Sequence, residues 1–281
     1  MTTAHRPSVL ITGVSSGIGF DATRYLIERG YQVFGSVRKD SDAQRLKKDF
    51  PQHFTPLLFD VTDVPAIQAA VAQVEKQVRR RGLAALVNNS GISGTAPLMY
   101  ADMQDVRQMF EVNVFGALQV TQAFLPLLGA REKCPHAPGR IINISSISGG
   151  LAFPFLGTYA GTKHALEAMS DALRRELGIF GIDVVAIEPG NIKTPIWDKG
   201  AEADSRFDGT PYEAMMRRVP QLVAEMGQKA DPVEKVSRAI HKAITTSRPQ
   251  ARYPLTPLWR VAKLLSDRLL DRLTRTAMGI K

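Results

Sequence analysis

Ser8-Val9-Leu10-Ile11-Thr12 runs directly into Gly13-Val14-Ser15-Ser16-Gly17-Ile18-Gly19. The first five residues are apolar or β-branched, the pattern of a buried strand. After the glycines, Ile18, Ala22, Leu26 and Ile27 recur at helical spacing until Gly30 stops them. A strand, a glycine turn and a helix therefore follow in direct succession. A helix N-terminus exposes unpaired N–H groups, and glycines let a phosphate approach the backbone closely. Gly13, Ser15, Ser16, Gly17, Ile18 and Gly19 are thus candidate contacts for a phosphate-bearing ligand. Glycine serves any tight turn; the flanking strand and helix give these ones a meaning.

The same alternation continues outward. Gln32-Val33-Phe34-Gly35-Ser36, Pro56-Leu57-Leu58-Phe59-Asp60, Leu83 to Asn88, Arg140 to Ser145 and Asp183 to Glu188 read as further strands. Between them, Asp63 caps a helix with Ile67, Val71, Val74 and Val78 on one face, which Gly82 ends. Val106, Phe110, Val114, Ala117, Thr121, Phe124 and Leu128 mark one long helix with Pro126 near its end, and Tyr159 through Leu177 marks another. The strands are near-continuous apolar runs without alternation, as in a parallel sheet covered on both faces. The expected fold is an α/β, Rossmann-like doubly wound parallel sheet. It forms a single domain over residues 1–255, with a helical lid at 194–230 and a basic amphipathic C-terminal helix at 256–281.

Composition narrows the partners. The 281 residues carry 36 Lys+Arg against 27 Asp+Glu, a net charge of +9, which invites nucleic acid, a membrane surface or an anionic small ligand. No nucleic-acid recognition motif is present, so that partner is not expected. One cysteine, Cys134, excludes an internal disulfide framework. Cys134 and His136 lack a matching second ligand pair, and the five histidines show no ligand spacing, so no metal is expected. With no secretory signal and no bilayer-spanning apolar run, a cytoplasmic location is expected.

With the glycine turn, three further motifs complete a pattern. Thr12-Gly13-x-x-x-Gly17-Ile18-Gly19, Asn88-Asn89-Ser90-Gly91, Tyr159-x-x-x-Lys163 and Pro189-Gly190-x-x-x-Thr194 occur in this order. The chain resembles the short-chain dehydrogenase/reductase family in its short single-domain branch, from about Ser8 to Thr194, with a final helix and strand to Pro254. Ser90 stands where that family usually has Ala. On residues alone, Tyr159 and Lys163 share a helix face, where an ammonium lowers a phenol's pKa toward a useful range; such a pair is also routine on surfaces. The resemblance implies that Tyr159 is the general acid/base and that Lys163 holds the nicotinamide ribose and lowers the tyrosine pKa. It implies that Ser146, with Ser145 as its neighbouring alternative, orients the carbonyl, and that Asn113 supports a proton path to the lysine. Asp60 and Val61 are the implied adenine contacts and Asn88 the adenosine-side contact. The resemblance also implies that Pro189, Gly190, Ile192 and Thr194 are cofactor contacts, with Thr194 bonding the carboxamide and Ile192 packing near it. Counting from Gly30 in the family's pattern, the acidic position that selects NAD(H) falls on Val37, and Arg38 follows, so NADP(H) is favoured over NAD(H).

The expected activity interconverts a carbonyl and an alcohol. A sensor or scaffold that binds NADP(H) with little turnover is the alternative. Leu98, Met99, Leu151, Phe153, Phe155, Leu156, Trp197, Met215 and Met216 either line a pocket for a hydrophobic carbonyl or alcohol or build the lid's own core. Arg81 to Ser93 resembles the retinol and hydroxysteroid dehydrogenase group, which implies lipid-like substrates. By analogy with the family, a homo-oligomer is expected. From Arg252 to Lys281, seven Lys/Arg stand against two Asp. Leu258, Val261, Leu265, Leu269 and Leu273 form a stripe that docks on the protein, a subunit or, peripherally, a membrane.

Overall fold

The computed structural model describes residues 6–195, 205–256 and 264–278. Seven strands, β1 (Ser8–Ile11), β2 (Gln32–Val37), β3 (Phe54–Leu58), β4 (Ala85–Asn88), β5 (Arg140–Ile144), β6 (Asp183–Glu188) and β7 (Arg252–Pro254), form one sheet. Its order is β3-β2-β1-β4-β5-β6-β7, and every neighbouring pair is parallel. The strand order reverses between β1 and β4, the switch point at which such sheets open a crevice.

Alternation within each strand explains the apolar runs. Successive side chains point to opposite faces, so a sheet covered on both sides needs apolar residues at every position. Val9, Ile11, Val33, Val37, Val87, Ile142 and Val185 pack on one side with Ala22 and Leu26 of α1 (Gly17–Glu28), Leu46 of α2 (Asp40–Asp49) and, near the chain's end, Ile240 of the helix Glu234–Thr245. Leu10, Phe34, Leu86, Ile141 and Val184 face the other way. They meet Ile67 and Val74 of α3 (Val64–Val78) and Val120, Phe124 and Leu128 of α5 (Ala117–Leu128). The Asp63 cap on α3 is present: its Oδ1 accepts from the Ala66 N–H at 3.0 Å.

Three expectations are corrected. The third strand begins two residues earlier, at Phe54, because its pairing with β2 runs from Val33↔Phe54 to Val37↔Leu58. The long helix runs unbroken from Met103 to Leu128 but is not α-helical throughout: α4 (Met103–Phe110) and α5 are joined by a π-helical turn, Glu111–Gly116. Arg252 belongs to β7 rather than to a basic tail, since it pairs with Ala186 of β6 in register and its charge is met by carboxylates inside the fold.

The catalytic-motif helix is α6 (Gly157–Glu176). Short helices α7 (Glu213–Met216) and α8 (Val219–Gln228) lie in the expected lid, followed by α9 (Glu234–Thr245). Beyond β7 comes α10 (Asp267–Met278). Leu264 is 84% exposed, and Leu269 and Leu273 are also exposed. Trp197, Leu258, Val261, Arg260 and Lys263 lie outside the described residues. Among the described residues, no helix is long and apolar enough to cross a membrane, and no cluster of metal-ligating side chains occurs.

Candidate active site

Because all strands run parallel, the residues that follow β1, β2, β4, β5 and β6 emerge at one edge of the sheet. Gly13 and Gly17 adopt φ values of +68° and +57°, which L side chains avoid. A Cβ on Gly19 would collide with the Gly13 carbonyl oxygen and the Asn89 amide. The turn is therefore packed too tightly for side chains. Helix α1 starts there with no acidic residue in its first turn, which leaves its positive end to attract an anion. Thr194, beyond β6, lies 3.4 Å from where a Cβ on Gly17 would be, so the loop after β6 reaches across to this cradle.

Asn89, the second residue of the Asn88-Asn89-Ser90-Gly91 motif, holds the cradle in place. Its Nδ2 donates to the carbonyls of Thr12 and Gly13 at 2.8 and 3.0 Å. In return, Thr12 Oγ1 accepts from the backbone N–H groups of Asn89 and Ser90, both at 2.9 Å. Ser36, at the tip of β2, accepts from the Gly13 N–H at 3.0 Å.

Past Ser36, Val37 is buried, while the Arg38 guanidinium stands out in solvent 3.8 Å from the Asp60 carboxylate. A second cation enters from α2: Arg45 Nη2 donates to the Ser15 carbonyl at 2.7 Å. Sequence spacing did not mark it. Asp60 caps its own turn, its Oδ1 accepting from the N–H and hydroxyl of Thr62 at 3.0 and 2.9 Å. Val61 is buried against Gly116 of the π turn. The Asn88 amide points inward, donating to Thr121 Oγ1 and Asn143 Oδ1 at 2.9 and 2.8 Å, so it stitches β4 to α5 and β5. Its Oδ1 is buried without a hydrogen-bond partner among the described residues.

The other expected residues converge beyond β5. Ser146 accepts from the Ser148 N–H at 3.1 Å, and its hydroxyl faces Tyr159 on the first turn of α6. Ser145, one residue earlier, faces Glu167 instead. Burial pushes the Tyr159 phenol up from its ordinary value, and the neighbouring Ser146 hydroxyl opposes that rise. One turn on, Lys163 Nζ donates to the Ile144 carbonyl at 2.9 Å and lies 5.7 Å from the Tyr159 ring centre. Burial lowers the Lys163 pKa to about 8, against the pull of Glu167.

Asn113 sits in the π turn, fully buried. It accepts from the Ile92 N–H at 2.8 Å and donates to the Ile92 carbonyl at 2.8 Å and to Thr162 Oγ1 at 3.0 Å. Its side chain clamps the loop after β4 to α6 beside Lys163. Pro189, Gly190 and Ile192 leave β6 along the same edge. The Pro189 carbonyl accepts from the Ile147 N–H at 2.9 Å, and Ile192 is buried in a bridge to Asp231. A Cβ on Gly190 would collide with the Thr256 hydroxyl.

The lid residues divide. Phe207, Met216 and Val219 form a small core of their own with Ala96, Phe155, Tyr212 and Val223. Leu98 and Met99 are 66% and 75% exposed, and Tyr100 and Met103 are exposed beside them. Leu98 packs directly over Gly157, two residues before Tyr159. An apolar rim therefore borders the site.

A doubly wound parallel sheet with a glycine cradle at its switch point is the layout of a dinucleotide-binding protein. The sequence profile of short chain dehydrogenases matches residues 7–205. The chain is 41% identical over 268 residues to the NADPH-dependent 3-dehydrocapnine reductase of Ornithobacterium rhinotracheale, covering 94% of each protein. It is 36% identical over 276 residues to human (Homo sapiens) retinol dehydrogenase 5, covering 92% of this chain and 82% of that one. A solved short-chain dehydrogenase from Streptomyces avermitilis superposes with a TM-score of 0.76 at 26% identity, covering 99% and 97% of the two chains. The chain belongs to the short-chain dehydrogenase/reductase family and is an oxidoreductase.

Proposed function

We propose that the chain is an NADP(H)-dependent oxidoreductase that reduces a ketone or aldehyde on a hydrophobic, lipid-like substrate. One observation carries this reading: Ser146, Tyr159 and Lys163 meet at the sheet edge that holds the glycine cradle. The cradle suits a pyrophosphate, because a Cβ at Gly19 would fill it and the α1 terminus is free of acidic residues. Buried Val37 leaves no carboxylate to meet a ribose 2′-hydroxyl, while Arg38 and Arg45 offer charge to a 2′-phosphate. The 41% identical reductase, named as NADPH-dependent, supports the same cofactor.

NADPH, when bound, supplies the hydride. The protein's own residues supply the rest. Ser146 and Tyr159 hydrogen-bond the carbonyl oxygen, and the Tyr159 hydroxyl gives its proton to that oxygen as the carbonyl carbon becomes C–H. Burial keeps the phenol protonated, which is the form that a reduction consumes. Lys163 bonds the ribose hydroxyls and, while charged, stabilises the phenolate left behind. Asn113 positions the loop after β4 and the neighbouring helix around that lysine. The apolar rim at Leu98, Met99, Tyr100 and Met103 supports a substrate with a long or bulky apolar body. Helix α10, amphipathic and basic, is proposed as a peripheral membrane contact.

The test is NADPH oxidation with a panel of long-chain and cyclic ketones and aldehydes. Tyr159→Phe should lower turnover by about 10²-fold or more, the scale of lost general acid catalysis, with NADPH affinity retained. NADPH binding without turnover on any substrate would instead mark a sensor or scaffold.

A further inference from the structure

Four charged side chains outside the proposed catalytic set meet behind α6. Arg252 Nε, on β7, donates to Glu167 Oε2 at 2.9 Å and lies 3.9 Å from Glu188 Oε1 at the end of β6. Its Nη2 lies 3.1 Å from Asp171 Oδ2. Glu167 and Glu188 are almost fully buried, with side chains 8% and 2% exposed, so their charges are far less screened than surface pairs.

Glu167 stands one helical turn after Lys163, on the flank that packs against the loop carrying Ser146. Gly149 makes that packing close: a Cβ there would lie 2.9 Å from Glu167 Cγ, 2.8 Å from Ser145 Oγ and 3.3 Å from the Lys163 carbonyl. Lys163 and Glu167, four residues apart on α6, share one face of that helix, and both are buried.

We infer that Glu167 is a positioning residue that keeps Lys163 charged in the site, and that Arg252, reaching in from β7, holds the Glu167 carboxylate in place as an anion. This rests on the proposed reductase reading, in which a cationic Lys163 is needed. The electrostatics agree. Burial opposes the charge on Lys163 and Glu167 favours it. Burial likewise pushes the Glu167 carboxyl up and adjacent Glu188 adds to that, whereas Ser145 and Arg252 hold it down. The charged or titratable groups facing this cluster are Tyr159, Lys163, Glu167 and Asp171 from α6, with Arg174 and Arg175 of the same helix 3.1 and 3.9 Å from Asp171, Glu188 from β6 and Arg252 from β7. Asn113 of the π turn is neutral, and Asp105, Arg107 and Glu111 of the packed α4 and π turn are exposed to solvent. The simpler role, a staple holding β7 to α6, would affect stability but not titration.

The experiment compares wild type with Glu167→Gln, Arg252→Gln and Arg252→Lys. It measures kcat/KM for reduction against pH, NADPH binding by fluorescence against pH, and thermal melting. In Glu167→Gln the high-pH limb of both profiles should move down by about one pH unit or more, the scale for loss of a close opposite charge. Arg252→Gln should show the same shift, and Arg252→Lys should return toward wild type. If Glu167→Gln melts below the assay temperature, Arg252→Gln carries the test. Limbs that stay at the wild-type pH while melting temperatures fall would overturn the inference and leave a staple. Absent NADPH binding or turnover in wild type would refute the proposed function itself, a result separable from any variant.

Discussion

Arg45 illustrates what a single side chain adds to a turn. Its guanidinium crosses from α2 to the Ser15 carbonyl at 2.7 Å while also facing Asp42 and Asp49 at 3.3 and 3.4 Å. That places a second cation beside the glycine cradle, near Arg38 at the tip of β2. A charge-assisted hydrogen bond to phosphate contributes about 1.5–3 kcal/mol, and about 1.4 kcal/mol is tenfold in affinity. Arg38→Ala and Arg45→Ala should therefore each weaken NADPH binding about tenfold or more and leave NADH binding nearly unchanged. Titration of both nucleotides by fluorescence checks this; equal losses for the two would remove these residues from 2′-phosphate recognition. Arg38 was legible in the sequence because it follows the strand tip directly. Arg45 was not, since it reaches Ser15 across 30 residues and follows no spacing rule; Asn89 stood in the Asn88-Asn89-Ser90-Gly91 motif, but its bonds to Thr12 and Gly13 across 77 and 76 residues were not visible there. Tyr159, Lys163 and Ser146 were legible only through the resemblance, because Tyr-x-x-x-Lys alone is an ordinary helix pair.

At the scale of elements, the strands were the most readable part, since a sheet covered on both faces makes each strand an unbroken apolar run. The π turn between α4 and α5 was not. The apolar residues from Val106 to Leu128 keep close to one face on either side of it, so a local widening leaves little trace in the pattern. The structure shows what the widening accommodates: Asn113, whose amide answers both backbone groups of Ile92 and the hydroxyl of Thr162. Strand β7 is three residues with a proline, too short for any periodicity to register. The π turn yields a prediction of its own. Asn113→Ala strands a buried backbone N–H, and each such orphaned group costs about 1–3 kcal/mol. Urea unfolding should show a loss of that order or more. Turnover should fall as well, because the loop after β4 loses its clamp beside Lys163. Full stability in Asn113→Ala would mean that water or a shifted backbone replaces the amide.

The whole molecule has a directional character. The cradle, the proposed catalytic cluster and the exposed apolar rim share the edge where parallel strands end. The chain leaves β7 at this edge too, with Thr256 against Gly190. Beyond it comes α10, with Leu269 and Leu273 exposed on one flank and Arg268 and Arg272 exposed on another. The net charge of +9 is thereby partly accounted for, with Arg252 withdrawn into the fold and the cations of α10 left outside. A helix with a leucine flank and an arginine flank binds an anionic bilayer by burying the first in the headgroup region and pairing the second with lipid charge. Such attraction falls within a Debye length of about 10 Å at 0.1 M salt. The full chain should therefore sediment with vesicles containing an anionic lipid. It should sediment much less with neutral vesicles, and raised salt should release part of the bound fraction. A chain ending at Pro257 should stay in the supernatant while keeping NADPH binding and its activity on a water-soluble ketone. Equal sedimentation of the full and shortened chains would assign any membrane contact to the Leu98–Met103 rim instead, and no sedimentation of either would leave α10 to dock on protein.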